Sequence, residues 1–215
     1  MLRASALAKL EAIFGKQLAF RRYEVTIARR STIKRDEEIL MTYAIVNILN
    51  NWSQFIRAFY FSCVFGTYRR SSLRVQSPTV FANMEAALGF AIQAFRPHAT
   101  PNVFGQWHRR DEPPWHDPNT LMQLAQLLAF QNQADIATAF SLQLRVFADL
   151  PIIRNFYAHR NLGTQTAAQA VALNYGIPTF HRATQMVLSN PVLRPQPLIF
   201  EWIDELRITA DFLCA

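Results

Sequence analysis

Cysteine is scarce in this chain. There are two, Cys63 and Cys214, far apart in sequence and in no metal-ligand spacing. Two cysteines cannot build a disulfide framework, so the expected state is a pair of buried thiols in a reducing compartment. Glycine is also sparse, at 6 of 215 residues, and charged residues make up only 17%. There is no Gly-rich phosphate loop, no dinucleotide fingerprint and no nucleophile-elbow serine, so the usual sequence signs of nucleotide-dependent and serine-hydrolase chemistry are missing. No run of 18 or more apolar residues exists, and no membrane partner is expected. The N-terminus lacks the compact apolar region and small-residue cleavage site of a secretory signal. It is Arg-rich and acid-poor, slightly like an organelle transit peptide, but the expected location is the cytoplasm. No strict apolar–polar alternation competes for strand anywhere, and no internal repeat is visible.

What is present is apolar mass and an uneven charge. Hydrophobic residues reach 51%, enough to bury a core, and the 11 prolines fall between apolar-periodic stretches. That pattern suits helices joined by loops. Residues 1–35 hold nine Lys/Arg and two acids, which is the whole formal net charge of +7. Residues 36–215 hold 13 basic and 13 acidic residues and are neutral. A basic arm beside a neutral body suggests a phosphate-rich partner, although a solvated basic helix or a protein-binding surface gives the same pattern. The division expected is therefore a basic helical N-terminal extension, 1–35, and a helical domain, 36–215.

Apolar spacing predicts the helices. Leu7, Leu10, Phe14 and Leu18 step by three, four and four. Residues 37–65 form the longest periodic segment and read as a central core helix, with Glu37 and Glu38 at its dipole-favoured start. Ser77-Pro78 reads as a cap with Pro in the first turn, opening a helix that stops before Pro97. Residues 97–117 form an aromatic loop rich in breakers. Asp117-Pro118 repeats the cap signal for a helix to about Ala139. Ser141 caps a stretch over 142–160, which Pro151 kinks or restarts and Gly163 stops. Shorter helices are expected over 166–174 and 178–189, and a last one over 197–213. The fold class is all-α, an up-and-down helical bundle.

One stretch carries chemistry: Asp149-Leu-Pro-Ile-Ile-Arg-Asn-Phe-Tyr-Ala-His-Arg-Asn161. Val146, Leu150, Ile153 and Tyr157 step by four, three and four and face inward. Asn155 and His159 are four apart and share another face, with Arg154 beside them. Three polar groups thus converge near a helix end, where unpaired carbonyls favour a protonated imidazole. A His at such a position also serves simply as a cap, and an Arg there often pairs with an acid; Glu37, Glu38 or Glu201 could hold Arg154. A second Arg–His spacing, Arg109 or Arg110 with His116, is interrupted by Pro113 and Pro114, so no single helix can hold it in register.

Arg154-Asn155-Phe-Tyr-Ala-His159, late in an all-helical chain, resembles the signature of the HEPN superfamily: Arg, then a polar residue, with His after four to six intervening positions. The long helix with Asn51-Trp52 and Phe55-Ile56-Arg57 resembles the first helix of many such domains. The resemblance covers about 36–215 and not the basic arm. It implies a metal-independent endoribonuclease with Arg154, Asn155 and His159 as catalytic residues. It further implies a homodimer whose motif helices face each other, and a toxin or effector role with an antitoxin or regulatory protein partner. The alternative is a non-catalytic HEPN-like module binding RNA, a nucleotide or a protein. The chemistry is coherent: His titrates near neutrality and can act as acid or base, and a permanently charged Arg can hold phosphate oxygens with two parallel bonds. No cofactor and no metal is expected.

Secondary candidates surround the motif. Arg160 could touch phosphate or form a surface ion pair. Trp107, Arg109 and Arg110 could stack bases and bind phosphate, although such a loop often packs its aromatics over a core instead. His98, His108 and His116 with Asp111, Glu112 and Asp117 fit no familiar zinc spacing.

Overall fold

A computed structural model describes residues 6–71, 73–177 and 182–215. Among the described residues the chain is all-α: nine α-helices, a 3-10 turn and a hairpin of two very short strands. The chain divides into two compact units. The described residues of 1–13, 52–143 and 209–215 form unit 1, and those of 14–51 and 144–208 form unit 2. The boundary between units therefore falls within helices α1 (Ala6–Arg30), α2 (Lys34–Phe65) and α9 (Leu198–Cys214), not at residue 35. Helix α1 runs twelve residues past Leu18, the last residue of the expected apolar stripe, with Leu7, Phe14, Leu18, Val25 and Ala28 all buried. It is a core helix, which a free basic arm would not be.

Unit 1 is built on the C-terminal half of α2 and its aromatic rings. Trp52 stacks on Phe55 with ring centroids 5.5 Å apart. Tyr60 lies 5.3 Å from Trp115 and 6.1 Å from Phe130. Its buried hydroxyl donates to the Ala87 carbonyl at 2.8 Å, and burial pushes its pKa up. After α2, β1 (Thr67–Tyr68) pairs antiparallel with β2 (Arg74–Val75), a hairpin too short to show alternation in sequence. Helix α3 (Met84–Phe95) begins at Asn83, whose side chain accepts from the Ala86 N–H, and not at Ser77. Ser77 is buried and used otherwise: its hydroxyl donates to the Leu128 carbonyl at 2.9 Å, and its N–H to the Cys63 carbonyl at 3.0 Å. Asp117 caps α4 (Pro118–Leu127) as expected, with Pro in the first turn. The helix expected to reach Ala139 breaks instead. Ala129 takes a left-handed conformation (φ 47°), and α5 (Gln133–Ser141) comes next. Ser141 is the last residue of α5, not a cap for the helix after it. Both cysteines are buried free thiols, and burial raises Cys63 to about 12.

Unit 2 gathers 14–30 of α1, 34–51 of α2, then α6 (Val146–His159), α7 (Leu162–Asn174), α8 (Ala183–Leu188) and 198–208 of α9. Of the helix expected over 178–189, residues 178–181 lie outside the described residues. The predicted inward face of α6 is correct: Val146, Leu150, Ile153 and Tyr157 are buried. Pro151 sits inside one helix and does not restart it. Gly163 does not stop α6 but lies within α7; the stop is Arg160, held left-handed at φ 40°. The turn is tight because Asn161 caps α7 at once. Its side chain accepts from the Thr164 N–H at 2.9 Å, and Thr164 Oγ1 accepts from the Asn161 N–H at 3.1 Å. Gly176, at φ 70°, ends the turn after α7, as the sequence suggests.

Candidate functional site

The motif helix is anchored at its N-terminus by groups distant in sequence. Its preceding residue, Arg145, offers no side-chain cap. Instead Glu205 of α9 accepts the Val146 N–H at 3.1 Å. A carboxylate at this end is favoured by the helix dipole. One turn on, the buried Asp149 accepts from the Tyr175 hydroxyl at 2.8 Å and pairs with Arg145 Nε at 3.2 Å. Tyr175 in turn accepts from Trp202 Nε1 at 3.0 Å. The inward carboxylate thus ends a chain of hydrogen bonds, which is how a buried charge avoids a large desolvation loss. Sequence reasoning missed this network. One sign was available: Asp149 falls on the same inward stripe as Val146 and Ile153.

The other end of α6 presents the motif. Asn155 and His159 are both exposed, one turn apart, and Arg154 is half-buried. On an ideal helix Arg154 and His159 lie about 140° apart around the axis, at about 100° per residue. The Arg154 side chain closes part of that angle by turning toward its neighbour, and Nη1 donates to Asn155 Oδ1 at 3.3 Å. The guanidinium is thereby held toward the face that His159 shares. Among the described residues no carboxylate pairs with Arg154. Glu38 pairs with Arg160 at 3.4 Å and Glu201 with Arg194 at 3.8 Å, so two of the expected holders serve other cations.

Arg160 forms a surface ion pair, one of the two alternatives the sequence offered. Its Nη1 reaches Glu38 and its Nη2 donates to Thr42 Oγ1, both at 3.4 Å on α2 within the same unit. Beneath it the Tyr157 hydroxyl is buried without a hydrogen-bond partner. Desolvation drives its pKa well upward, opposed by the Arg160 charge.

Trp107, Arg109 and Arg110 belong to unit 1. The Trp107 ring lies against Gly89 of α3 so closely that an added Cβ would stand 2.7 Å from it. A helical glycine is therefore the notch that receives one edge of this ring, while the residue stays partly exposed. Arg109 and Arg110 sit in a 3-10 turn ending at Asp111, and Arg110 is largely exposed, with Nε 4.0 Å from the Asp111 carboxylate. Asp111 also pairs with Arg96, and Glu112 accepts from Arg57 Nε at 2.8 Å and Trp115 Nε1 at 2.7 Å. Asp111 and Glu112 thus serve arginines and an indole, and Asp117 caps α4. Among the described residues no group of three or more His, Cys, Asp or Glu is placed to hold a metal ion.

No protein-family model matches the chain, and no curated protein and no solved structure matches it. Among the described residues no single helix is long and apolar enough to cross a membrane.

Proposed function

We propose that this chain is an endoribonuclease of the HEPN kind, with Arg154, Asn155 and His159 as its working groups and RNA as its substrate. The observation that carries the reading is the Arg154–Asn155 hydrogen bond at the exposed end of α6, which turns toward the face of an exposed histidine a cation that pairs with no carboxylate among the described residues. RNA supplies its own nucleophile, the 2′-hydroxyl beside each phosphate. A neutral imidazole takes the 2′-hydroxyl proton, the new P–O bond forms, and the P–O bond to the 5′-oxygen breaks. A protonated imidazole returns a proton to that leaving oxygen, and the products are a 2′,3′-cyclic phosphate and a 5′-hydroxyl. Arg154 holds the non-bridging oxygens as charge grows on them. One imidazole cannot easily stand on both sides of a phosphate, so the reading includes a homodimer that brings two His159 rings to one cleft. Asn155, with its carbonyl oxygen occupied by Arg154, keeps its amide N–H groups for the phosphate.

The test uses labelled RNA and DNA of one sequence in EDTA, with wild type, Arg154→Ala and His159→Ala. Cutting of RNA alone, with cyclic-phosphate ends and loss in both variants, supports the proposal. Undiminished cutting by either variant sinks it. A growth assay extends it to biology: if the protein is a cytoplasmic toxin or effector, wild type but not His159→Ala arrests growth, and a cognate antitoxin or regulatory protein relieves the arrest.

A further inference from the structure

Within unit 2, α1 is apolar on two opposite sides. Phe14, Leu18, Val25 and Ala28 are buried, as the core requires. Yet Phe20, Tyr23 and Ile27 are 52%, 61% and 42% exposed. With Lys16 and Arg30, also exposed, they are spaced four, three, four and three residues apart. That is the 3.5-residue repeat along which a second helix can lie. The seam has two rails: Phe20 and Ile27 form an apolar one, and Lys16, Tyr23 and Arg30 one that is cationic at both ends. Ala19 and Thr26, one residue before each apolar position, are small enough to let another backbone approach. The patch widens onto α2, where Ile39 and Tyr43 are 57% and 56% exposed. The Arg21 guanidinium joins the two helices, 4.8 Å from the Phe20 ring and 5.5 Å from the Tyr43 ring. Its charge is met by Glu24 at 2.7 Å, so the acid on this side of α1 is already used.

We propose that this face of α1 docks an acidic amphipathic helix of a partner protein, its apolar residues against Phe20 and Ile27 and its carboxylates against Lys16 and Arg30. Charge complementarity selects the occupant. A second copy laid antiparallel would place Lys16 against Arg30, a like-charge contact. A bilayer or a single-stranded nucleic acid makes no use of a 3.5-residue repeat flanked by small residues. None of the docking residues belongs to the α6 motif, so docking and cleavage can fail separately.

The probe is a fluorescein-labelled peptide of three heptads, with Leu at the two core positions and Glu at the flanking ones. A second peptide carries Lys in place of each Glu. Anionic vesicles containing phosphatidylserine and a single-stranded RNA oligomer serve as competing surfaces. The full chain is expected to prefer the Glu peptide at least tenfold over the Lys peptide, with affinity falling as salt rises. Ile27→Glu should abolish binding while circular dichroism stays unchanged, since the side chain lies outside the core. The double change Lys16→Glu with Arg30→Glu should reverse the preference toward the Lys peptide. Equal affinity for both peptides overturns the proposal, as does binding that survives Ile27→Glu. Stronger dependence of vesicle or RNA binding than of peptide binding on Ile27 also overturns it.

Discussion

Two segments that carry both arginine and histidine stand in contrast, the loop before α4 and the end of α6. In the loop, Arg96 pairs with Asp111, and Arg57 pairs with Glu112, which also accepts from Trp115. The backbone of His116 accepts from Trp52 Nε1 at 3.3 Å. At the end of α6, Arg154 donates to the Asn155 amide oxygen and, among the described residues, pairs with no carboxylate, and His159 is exposed. The difference lies in the carboxylates. In the loop, the acids of a segment broken by proline meet arginines of α2 and of the end of α3, and the paired charges pin the loop to an aromatic core. Where a regular helix spaces its polar groups by one turn and the nearby acids point elsewhere, a cation stays available for an anion from outside.

The sharpest way to break this comparison is at the histidine. His159→Ala is expected to lower RNA cleavage by about 10²–10⁴-fold and to leave unfolding free energy within about 0.5 kcal/mol of wild type. Cleavage kinetics and urea unfolding on one preparation check both; a large stability loss with retained activity would reverse the roles assigned. Next in size is the aromatic side. Trp52, buried and stacked on Phe55, should cost about 3–5 kcal/mol when replaced by Ala. A loss under about 1 kcal/mol would show that the loop and its tryptophans are not held as described.

The anchor under the motif should be felt less. Tyr175→Phe removes the hydroxyl that links Trp202 to Asp149, leaving a buried carboxylate short of one donor, at about 1–3 kcal/mol. Thermal unfolding measures it, and a neutral result would mean that another donor replaces Tyr175. Smallest is a pH effect at Glu205. Burial raises its pKa, partly offset by the Val146 N–H. The folded state therefore binds that proton more tightly than the unfolded one. Its contribution to stability is fully present below the unfolded carboxylate pKa and is lost as pH rises through the folded value. Glu205→Gln keeps an acceptor for Val146 and should flatten that decline in a pH series of unfolding midpoints. A steeper decline in the variant would refute the assignment.

Much of the fold was legible locally. The inward face of α6, the Asp117-Pro118 start of α4 and the long central helix α2 come from apolar spacing and capping chemistry, which depend only on near neighbours along the chain. The failures share a cause. Ser77 looks like a helix cap, but its hydroxyl goes to Leu128. Gly163 looks like a stop, but Asn161 caps the next helix first and leaves Arg160 to turn the chain. A cap signal states what a side chain can satisfy, and tertiary neighbours decide which group it does satisfy.

The same division runs through the candidate site. Helical period alone determined that Asn155 and His159 share a face and that the residues beneath them are buried. The linear chain also determined the concentration of positive charge in the first 35 residues. Only the tertiary structure decided that α1 buries one apolar side, that Glu38 serves Arg160 and not Arg154, and that Glu205, Tyr175 and Trp202 secure the motif helix. Periodicity is a property of a single helix and survives in the linear chain. That Glu38 meets Arg160 depends on the packing of segments more than a hundred residues apart, and no local pattern encodes that.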